Sequence, residues 1–483
     1  MTTRLADLGI AGPEVGVAGL AVDSRAVRPG YVFFAVPGSA AHGARFADDV
    51  AAKGAAAIVT DRAGRAMIDA DLPVAVVDDP RAALAYAAAL WSGAQPDTMV
   101  AVTGTNGKTS VATFARQIWE ALGHAAVNIG TTGVEGAYDG GSAHTTPEPI
   151  TLHALLADMA ARGVTHGAME ASSHGLDQRR LEAVRLAAAG FTNLSQDHLD
   201  YHGTMEAYRA AKAGLFERLL PEGAVAVIDL DDPEGVRLAA ECEARGQEVI
   251  GTGAAEAARL RLAGQRFDGT GQDVLVRWQG RTHAARLDLV GAFQARNALV
   301  AAGLCIGAGD DPEAVLAALS RLRGVRGRME RAAVRDGGAP VFVDYAHTPD
   351  AVATALAALR PHVMGRLVAI VGAGGDRDRT KRPLMGAAAA EGADHVIVTD
   401  DNPRTEDPAA IRAAVMGGAP GAEEVGDRAE AILLGAAMLE PGDALIVMGK
   451  GHETGQQVGD QTIPFDDREH ASIAVAALDG KGA

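Results

Sequence analysis

The segment Val100-Ala-Val-Thr-Gly-Thr-Asn-Gly-Lys-Thr-Ser110 constrains this chain more than any other. An apolar, strand-like run enters it, and a stretch with helical character, residues 109 to about 122, leaves it. Between them the backbone has to curl until its N–H groups face one point. Gly104 and Gly107 remove the side chains that would obstruct that curl. Such a loop cradles phosphate. Lys108 can meet the β- and γ-phosphates, the Thr109 hydroxyl can hold Mg2+, and the helix N-terminus adds a favourable dipole. Gly104, Thr105, Asn106, Gly107, Lys108, Thr109 and Ser110 are therefore the expected nucleotide contacts. The loop departs from the common GxxxxGK[ST] pattern, which would need glycine at Val102.

A strand–loop–helix unit of this kind belongs in a parallel sheet covered by helices on both faces. Apolar runs at residues 99–103, 125–129, 166–170, 187–192 and 224–228 supply the strands, and residues 287–321 read as helical. Before this section, short β-like runs at 31–36 and 55–59 lie between Gly-rich turns, and Trp91-Ser-Gly-Ala-Gln-Pro96 reads as a linker. After it, strands at 341–344, 367–372, 395–399 and 444–448 alternate with helices. At 483 residues the chain is too long for one core. The expected architecture is α/β with three domains: a small N-terminal α/β domain (1–96), a central doubly wound parallel sheet of P-loop type (97–328) and a C-terminal Rossmann-like sheet (329–483).

The formal charge of −18 argues against non-specific binding to nucleic acid or anionic membrane, so an anionic nucleotide must be held by local devices. Cys242 and Cys305 have no metal-ligand spacing, which suits a reducing compartment. The N-terminus has no basic segment followed by an apolar run, and no window approaches the ~20 apolar residues of a membrane span. A cytoplasmic protein, expected to be a monomer, follows from this reading.

The loop TGTNGKT is similar to that of the Mur ligases and the related folylpolyglutamate synthases. Other segments resemble the Mur ligases in order along the chain: Met169-Glu-Ala-Ser-Ser-His-Gly-Leu176, Asn193-Leu-Ser-Gln-Asp-His-Leu-Asp-Tyr-His202 and Val343-Asp-Tyr-Ala-His-Thr-Pro349. Gly374-Gly-Asp-Arg-Asp378, Lys381-Arg-Pro383, Thr399-Asp-Asp-Asn-Pro-Arg-Thr405 and Gly449-Lys-Gly-His-Glu453 resemble the branch of the family that adds the third amino acid of a peptidoglycan precursor. The resemblance spans nearly the whole chain. It implies a ligase that uses ATP and Mg2+ to form an amide bond through an acyl phosphate, in cell-wall synthesis.

The same resemblance implies roles for single residues. Glu170 and His198 would hold Mg2+ together with Thr109, and Lys212 would join them as a carbamate. Asn297, Asp344 and His347 would lie near the nucleotide, and Arg328 would reach the γ-phosphate as a catalytic group beside Lys108, Lys212 and His198. The family usually has Asn where this chain has Gln294, which puts any role at that position in doubt. The UDP-MurNAc-dipeptide would meet Val22, Ser24, Ser39 and Ala41 in the first section. In the second it would meet Thr145, Thr146, Ser172, Gln178 and Arg180.

Asp401-Asn-Pro-Arg404 bears on which amino acid is added. Relatives that use meso-diaminopimelate carry DNPR here, whereas lysine-adding relatives usually lack the Arg. The chemistry agrees, because diaminopimelate has a second carboxylate that the planar forks of Arg404 and Arg377 can pair with. Asp401, Asn402, Pro403, Gly449 and Glu453 complete the expected pocket, with Glu453 and the Gly449 carbonyl receiving the distal ammonium. Three alternatives stay open on the residues alone. A lysine-adding ligase would need another use for Arg404. A folate-polyglutamylating ligase would leave the N-terminal section and DNPR unexplained. A nucleotide-gated module without catalysis would not need Lys108, Thr109, Glu170, His198 and Lys212 together.

Overall fold

The computed structural model describes residues 3–38, 41–138 and 145–481. They divide into two compact units, one of residues 1–261 and 299–315, the other of 262–298 and 316–483.

The first unit contains two sheets. Gly19–Ala21, Tyr31–Ala35, Ala57–Thr60 and Val74–Val76 form a parallel sheet in chain order. The larger sheet runs Glu248–Gly253, Val225–Asp229, Leu186–Phe191, Thr98–Thr103, His166–Glu170, Ala126–Gly130 and Gly133–Gly136. All neighbours are parallel except the last hairpin. Thr98–Thr103, first in sequence, lies in the middle. The chain fills the sheet on one side of it and then the other, so strand order reverses there and a crevice opens at the carboxyl ends. Helices begin where the sequence supplies an acidic cap followed by proline: Asp79-Pro80, Glu148-Pro149 and Asp232-Pro233 each accept backbone N–H groups of the first turn.

The second unit holds a sheet ordered Glu330–Val334, Pro340–Asp344, Ala444–Met448, Leu367–Val371, His395–Val398 and Glu423–Glu424, with only its first strand antiparallel. Alternate residues of Ala444–Met448 point to opposite faces. Ala444, Ile446 and Met448 enter one apolar cluster, Leu445 and Val447 another. Both faces are therefore covered, which explains why the strand reads as an unbroken apolar run. Each buried Leu, Ile or Val contributes about 1.5–3 kcal/mol.

Two segments differ from the reading of the sequence. Residues 287–321 are not one helical stretch. Arg281–Leu287 is a strand, and the helices Ala292–Gly307 and Pro312–Ala318 are separated where Gly309 takes φ 112°. Residues 248–287 also contain the strands Leu260–Asp268 and Gly271–Trp278, of which the second pairs antiparallel with Arg281–Leu287. No helix among the described residues is long and apolar enough to cross a membrane.

Candidate active site

Three neighbouring strands of the first unit end at one place. Thr98–Thr103 leads into the glycine loop, Leu186–Phe191 into Thr192 and Asn193, and His166–Glu170 ends on a carboxylate. The register sets Glu170 beside Val102. The loop is pinned by its neighbour: the Thr105 N–H donates to the Asn193 carbonyl at 2.9 Å, and the Asn106 N–H to Asn193 Oδ1 at 3.0 Å. The Thr192 hydroxyl donates to the Asn106 carbonyl at 2.6 Å. A Cβ on Gly104 would stand 1.9 Å from Thr192 Oγ1, so only glycine fits there. Gly107 caps the helix Lys108–Leu122 with φ 91°. Lys108 Nζ donates back to the Gly104 and Thr105 carbonyls, both at 2.9 Å. Thr109 and Ser110 are buried at the start of that helix.

Glu170 is 1 % exposed. Its Oε1 accepts the Thr131 N–H at 2.7 Å and its Oε2 the Thr131 hydroxyl at 3.2 Å. Lys212 is 2 % exposed, and its Nζ donates to the Gly104 carbonyl at 2.6 Å. Burial, and next the nearby positive charge of Lys108, push its pKa well below the usual lysine value. The Tyr208 ring lies under the same nitrogen at 4.5 Å, and its hydroxyl sits 3.2 Å from Thr105 Oγ1. His198 takes a left-handed backbone, φ 52°, and its ring stands edge-on to His174 at 4.8 Å.

A polar chain leads away from Glu170. Thr131 and Thr145 hydroxyls are 3.1 Å apart, Thr146 Oγ1 donates to the Glu170 carbonyl at 2.9 Å, and Thr146 and Ser172 hydroxyls meet at 3.1 Å. Arg180 donates to the Thr146 carbonyl at 2.8 Å and to Gln178 Oε1 at 2.7 Å. In the N-terminal section, Val22 and Ser24 follow the end of Gly19–Ala21, and the Ser24 carbonyl accepts from Lys53 at 2.9 Å. The Ala41 carbonyl accepts the Gly38 N–H at 3.1 Å, while Ser39 lies outside the described residues. Arg81 donates to the Pro37 carbonyl, and Asp79 pairs with Arg179 at 3.2 Å.

The second unit gathers the remaining residues. Asp344 ends its strand, with its two oxygens accepting the Met329 N–H at 2.7 Å and the Ala346 N–H at 2.9 Å. Burial raises its pKa against the pull of Arg328. The Arg328 guanidinium lies over the Tyr345 ring at 4.5 Å, and its buried Nε has no hydrogen-bond partner. His347 Nδ1 is 2.8 Å from the Tyr345 carbonyl. Asn297 donates to Gln294 Oε1 at 3.2 Å, and Gln294 reaches the Arg328 carbonyl at 3.5 Å, so Gln294 has a positioning contact.

The segments Asp401–Arg404 and Gly449–Glu453 meet. Asn402 donates to Glu453 Oε2 at 2.8 Å, and a Cβ on Gly449 would fall 2.4 Å from Asp401 Oδ2. Pro403 leads into Arg404, which adopts φ 53° and donates to the Gly375 carbonyl at 2.7 Å. Arg377 is exposed, and its Nη1 lies 3.5 Å from the Asp376 carbonyl. Two residues not singled out in the sequence prove central. Lys450 is fully buried and donates to Asn402 Oδ1 at 3.1 Å and Glu453 Oε2 at 3.2 Å. Glu406, held at about 2 chiefly by the Arg382 hydrogen bond, fixes the Asp376 N–H at 2.6 Å. Lys450 stood inside a quoted motif; nothing in the sequence marked Thr131, Tyr208 or Glu406.

Three family models match in succession: "Mur ligase family, catalytic domain" at residues 16–92, "Mur ligase middle domain" at 102–305, and "Mur ligase, glutamate ligase domain" at 327–451. A relative from Bradyrhizobium diazoefficiens called UDP-N-acetylmuramoyl-L-alanyl-D-glutamate--2,6-diaminopimelate ligase is 53 % identical over 95 % of either chain. A protein of that name from Caulobacter vibrioides is 50 % identical, covering 99 % of this chain and 100 % of its own. A solved structure of a ligase with this name aligns with TM-score 0.72 at 34 % identity, over 99 % of both chains. With the phosphate loop, the carboxylate beside it and relatives matched from end to end, the chain belongs to the Mur ligase family.

Proposed function

We propose that this protein is an ATP-dependent ligase that joins meso-diaminopimelate to UDP-MurNAc-L-Ala-D-Glu in peptidoglycan precursor synthesis, and so serves cell-wall growth, cell shape and division. The observation that carries the choice of amino acid is the bond between Asn402 and Glu453, which ties the loop bearing Arg404 to the loop bearing Glu453. A guanidinium and a carboxylate held on adjoining loops complement the zwitterionic far end of diaminopimelate. Lysine would leave Arg404 without its carboxylate, a loss of several kcal/mol, each ~1.4 kcal/mol being tenfold in preference.

In the proposed reaction the D-Glu γ-carboxylate oxygen attacks the γ-phosphorus of ATP, and the bond to ADP breaks. The diaminopimelate amine then attacks the acyl phosphate, loses a proton, and phosphate leaves as the amide forms. Lys108 and the loop N–H groups hold the transferred phosphate, and Arg328, whose Nε is unpartnered, supplies positive charge toward it. Asn297, Asp344 and His347 hold the nucleoside end. Val22, Ser24, Ser39 and Ala41 take the uridine diphosphate; Thr145, Thr146, Ser172, Gln178 and Arg180 take the muramoyl peptide. The donors fit Mg2+: each Glu170 oxygen keeps lone pairs beyond its bond to Thr131, and Thr109 and His198 belong to the same unit. When bound, Mg2+ would offset the repulsion between triphosphate and carboxylate. Burial and Lys108 lower the Lys212 pKa and so favour its free amine, which can add to CO2 with loss of a proton, giving a carbamate anion suited to the same ion. The three family-model spans support domains at 1–96, 97–328 and 329–483. Two buried cysteines without a disulfide suit a cytoplasmic protein, and we expect it to be a monomer.

The test is phosphate release by the purified protein with ATP, Mg2+ and UDP-MurNAc-L-Ala-D-Glu, comparing meso-diaminopimelate with L-lysine. Release driven by diaminopimelate alone is expected. Release with lysine would overturn the reading of Arg404, and release with neither would overturn the ligase reading.

A further inference from the structure

His166 begins the strand that Glu170 ends, so it lies at the amino end of the sheet, away from the phosphate loop. His124 follows the helix Lys108–Leu122, and Asp310 follows the helix Ala292–Gly307. The three side chains converge. His124 Nε2 is 3.0 Å from Asp310 Oδ1, and the His124 and His166 rings stack at 4.0 Å between centroids. One ligand atom from each of the three lies within 4.8 Å of the others.

We propose that His124, His166 and Asp310 bind a borderline divalent transition cation, of the class of Zn2+, at the end of the sheet opposite the phosphate loop. Two imidazoles and one carboxylate favour such an ion over Mg2+ or Ca2+, which take oxygen donors. A tetrahedral Zn2+ with bonds near 2.0–2.1 Å needs donors about 3.3 Å apart. The His124–Asp310 pair already meets that spacing. The third donor, on His166, lies within 4.8 Å of the other two and has to move closer.

The surrounding groups are those that orient ligands. The Thr165 hydroxyl is 3.3 Å from the Ala125 carbonyl, where it donates, and 2.8 Å from His166 Nδ1. That contact holds the His166 ring in place by its Nδ1 edge. Trp119 Nε1 donates to Asp310 Oδ2 at 2.7 Å, which fixes the carboxylate and leaves Oδ1 toward the histidines. Asp97 adds a second negative charge nearby, acting on His166. His124 is 35 % exposed at its side chain, which gives an ion a way in and leaves room for a water as fourth ligand. The bound ion would clamp the far end of the helix that carries Lys108 and Thr109, the start of the Glu170 strand and the end of the helix Ala292–Gly307.

The experiment is calorimetric titration of the full-length protein with ZnCl2 in excess MgCl2, so that oxygen-donor sites are filled by Mg2+. Thermal unfolding is followed with and without Zn2+. Wild type is expected to take up one equivalent more than His124→Gln, and its Tm should rise with Zn2+. Asp310→Asn keeps an acceptor for Trp119 and serves as the second variant, with at least tenfold weaker binding expected. Both variants should retain wild-type ligase turnover, because neither residue belongs to the nucleotide site. Equal Zn2+ uptake by wild type and both folded variants would overturn the proposal, leaving an ordinary His–Asp pair.

Discussion

Lys212 Nζ lies 2.6 Å from the carbonyl oxygen of Gly104, the residue that opens the phosphate loop. An ammonium in that buried position is disfavoured by lost hydration and by Lys108, and both effects shift the equilibrium toward the free, nucleophilic amine. Carbamylation is the expected consequence. Protein equilibrated with 13C-bicarbonate should show a carbamate carbon resonance that disappears in Lys212→Met. That variant should lose turnover by roughly 100-fold or more while its Tm holds or rises, since an unfavourable buried amine is replaced by an apolar chain of similar length. A resonance that persists in the variant would assign the carbamate elsewhere.

Gly104 and Lys108 should fail in different ways. Lys108 bonds back to loop carbonyls, so Lys108→Ala is expected to lower kcat about 100- to 1,000-fold with Tm unchanged. Gly104→Ala forces a methyl to within 1.9 Å of Thr192 Oγ1 at a residue with φ 145°, so the loop must move. That variant should lose both turnover and several degrees of Tm. Paired activity assays and thermal melts separate the two, and normal turnover in Lys108→Ala would remove the phosphate loop from the mechanism.

The contrast between what could and could not be read follows from how each feature is encoded. Strand 444–448 was legible to the residue, because a strand covered on both faces writes a continuous apolar run, and strand 166–170 was legible from its Gly-Ala-Met centre. The strands Leu260–Asp268 and Arg281–Leu287 escaped, since each is only partly buried and interrupts its apolar residues with arginine. The phosphate loop was legible because its glycines answer a steric demand local to the chain. Thr131 was not: its bonds to Glu170 span 39 residues, and no nearby residue type announces them. Lys450 had a visible charge, but nothing in Gly449-Lys-Gly-His-Glu453 tells whether that lysine faces water or, as here, is buried against Asn402 and Glu453.

Arg404 separates the two candidate amino acids. Its Nη1 bond to the Gly375 carbonyl fixes the guanidinium with donors to spare. Arg404→Ala should lower kcat/KM for meso-diaminopimelate by about 100-fold, in keeping with a charge-assisted bond of about 3 kcal/mol. The much lower activity with L-lysine should change little, so the ratio of the two substrates' kcat/KM is the informative quantity. An unchanged ratio would show that this residue takes no part in selecting the amino acid.

His452 sets an acid limit on stability. Burial, followed by the charges of Arg328 and Arg326, lowers its pKa from 6.5 to about 4. In the unfolded chain the imidazole takes up its proton near pH 6.5, while the folded protein resists until about pH 4. The unfolded state therefore binds more protons between these values, and folding stability falls as pH drops through that window. Above pH 6.5 both states are neutral and the effect vanishes; below about pH 4 the loss is complete. Its size is at most about 3 kcal/mol, from ~1.4 kcal/mol per unit. Denaturant unfolding at a series of pH values should show His452→Asn losing less stability than wild type between pH 6.5 and 4, with parallel curves above that range. Identical slopes for the two proteins would mean that the buried ring finds a partner for its proton when acidified.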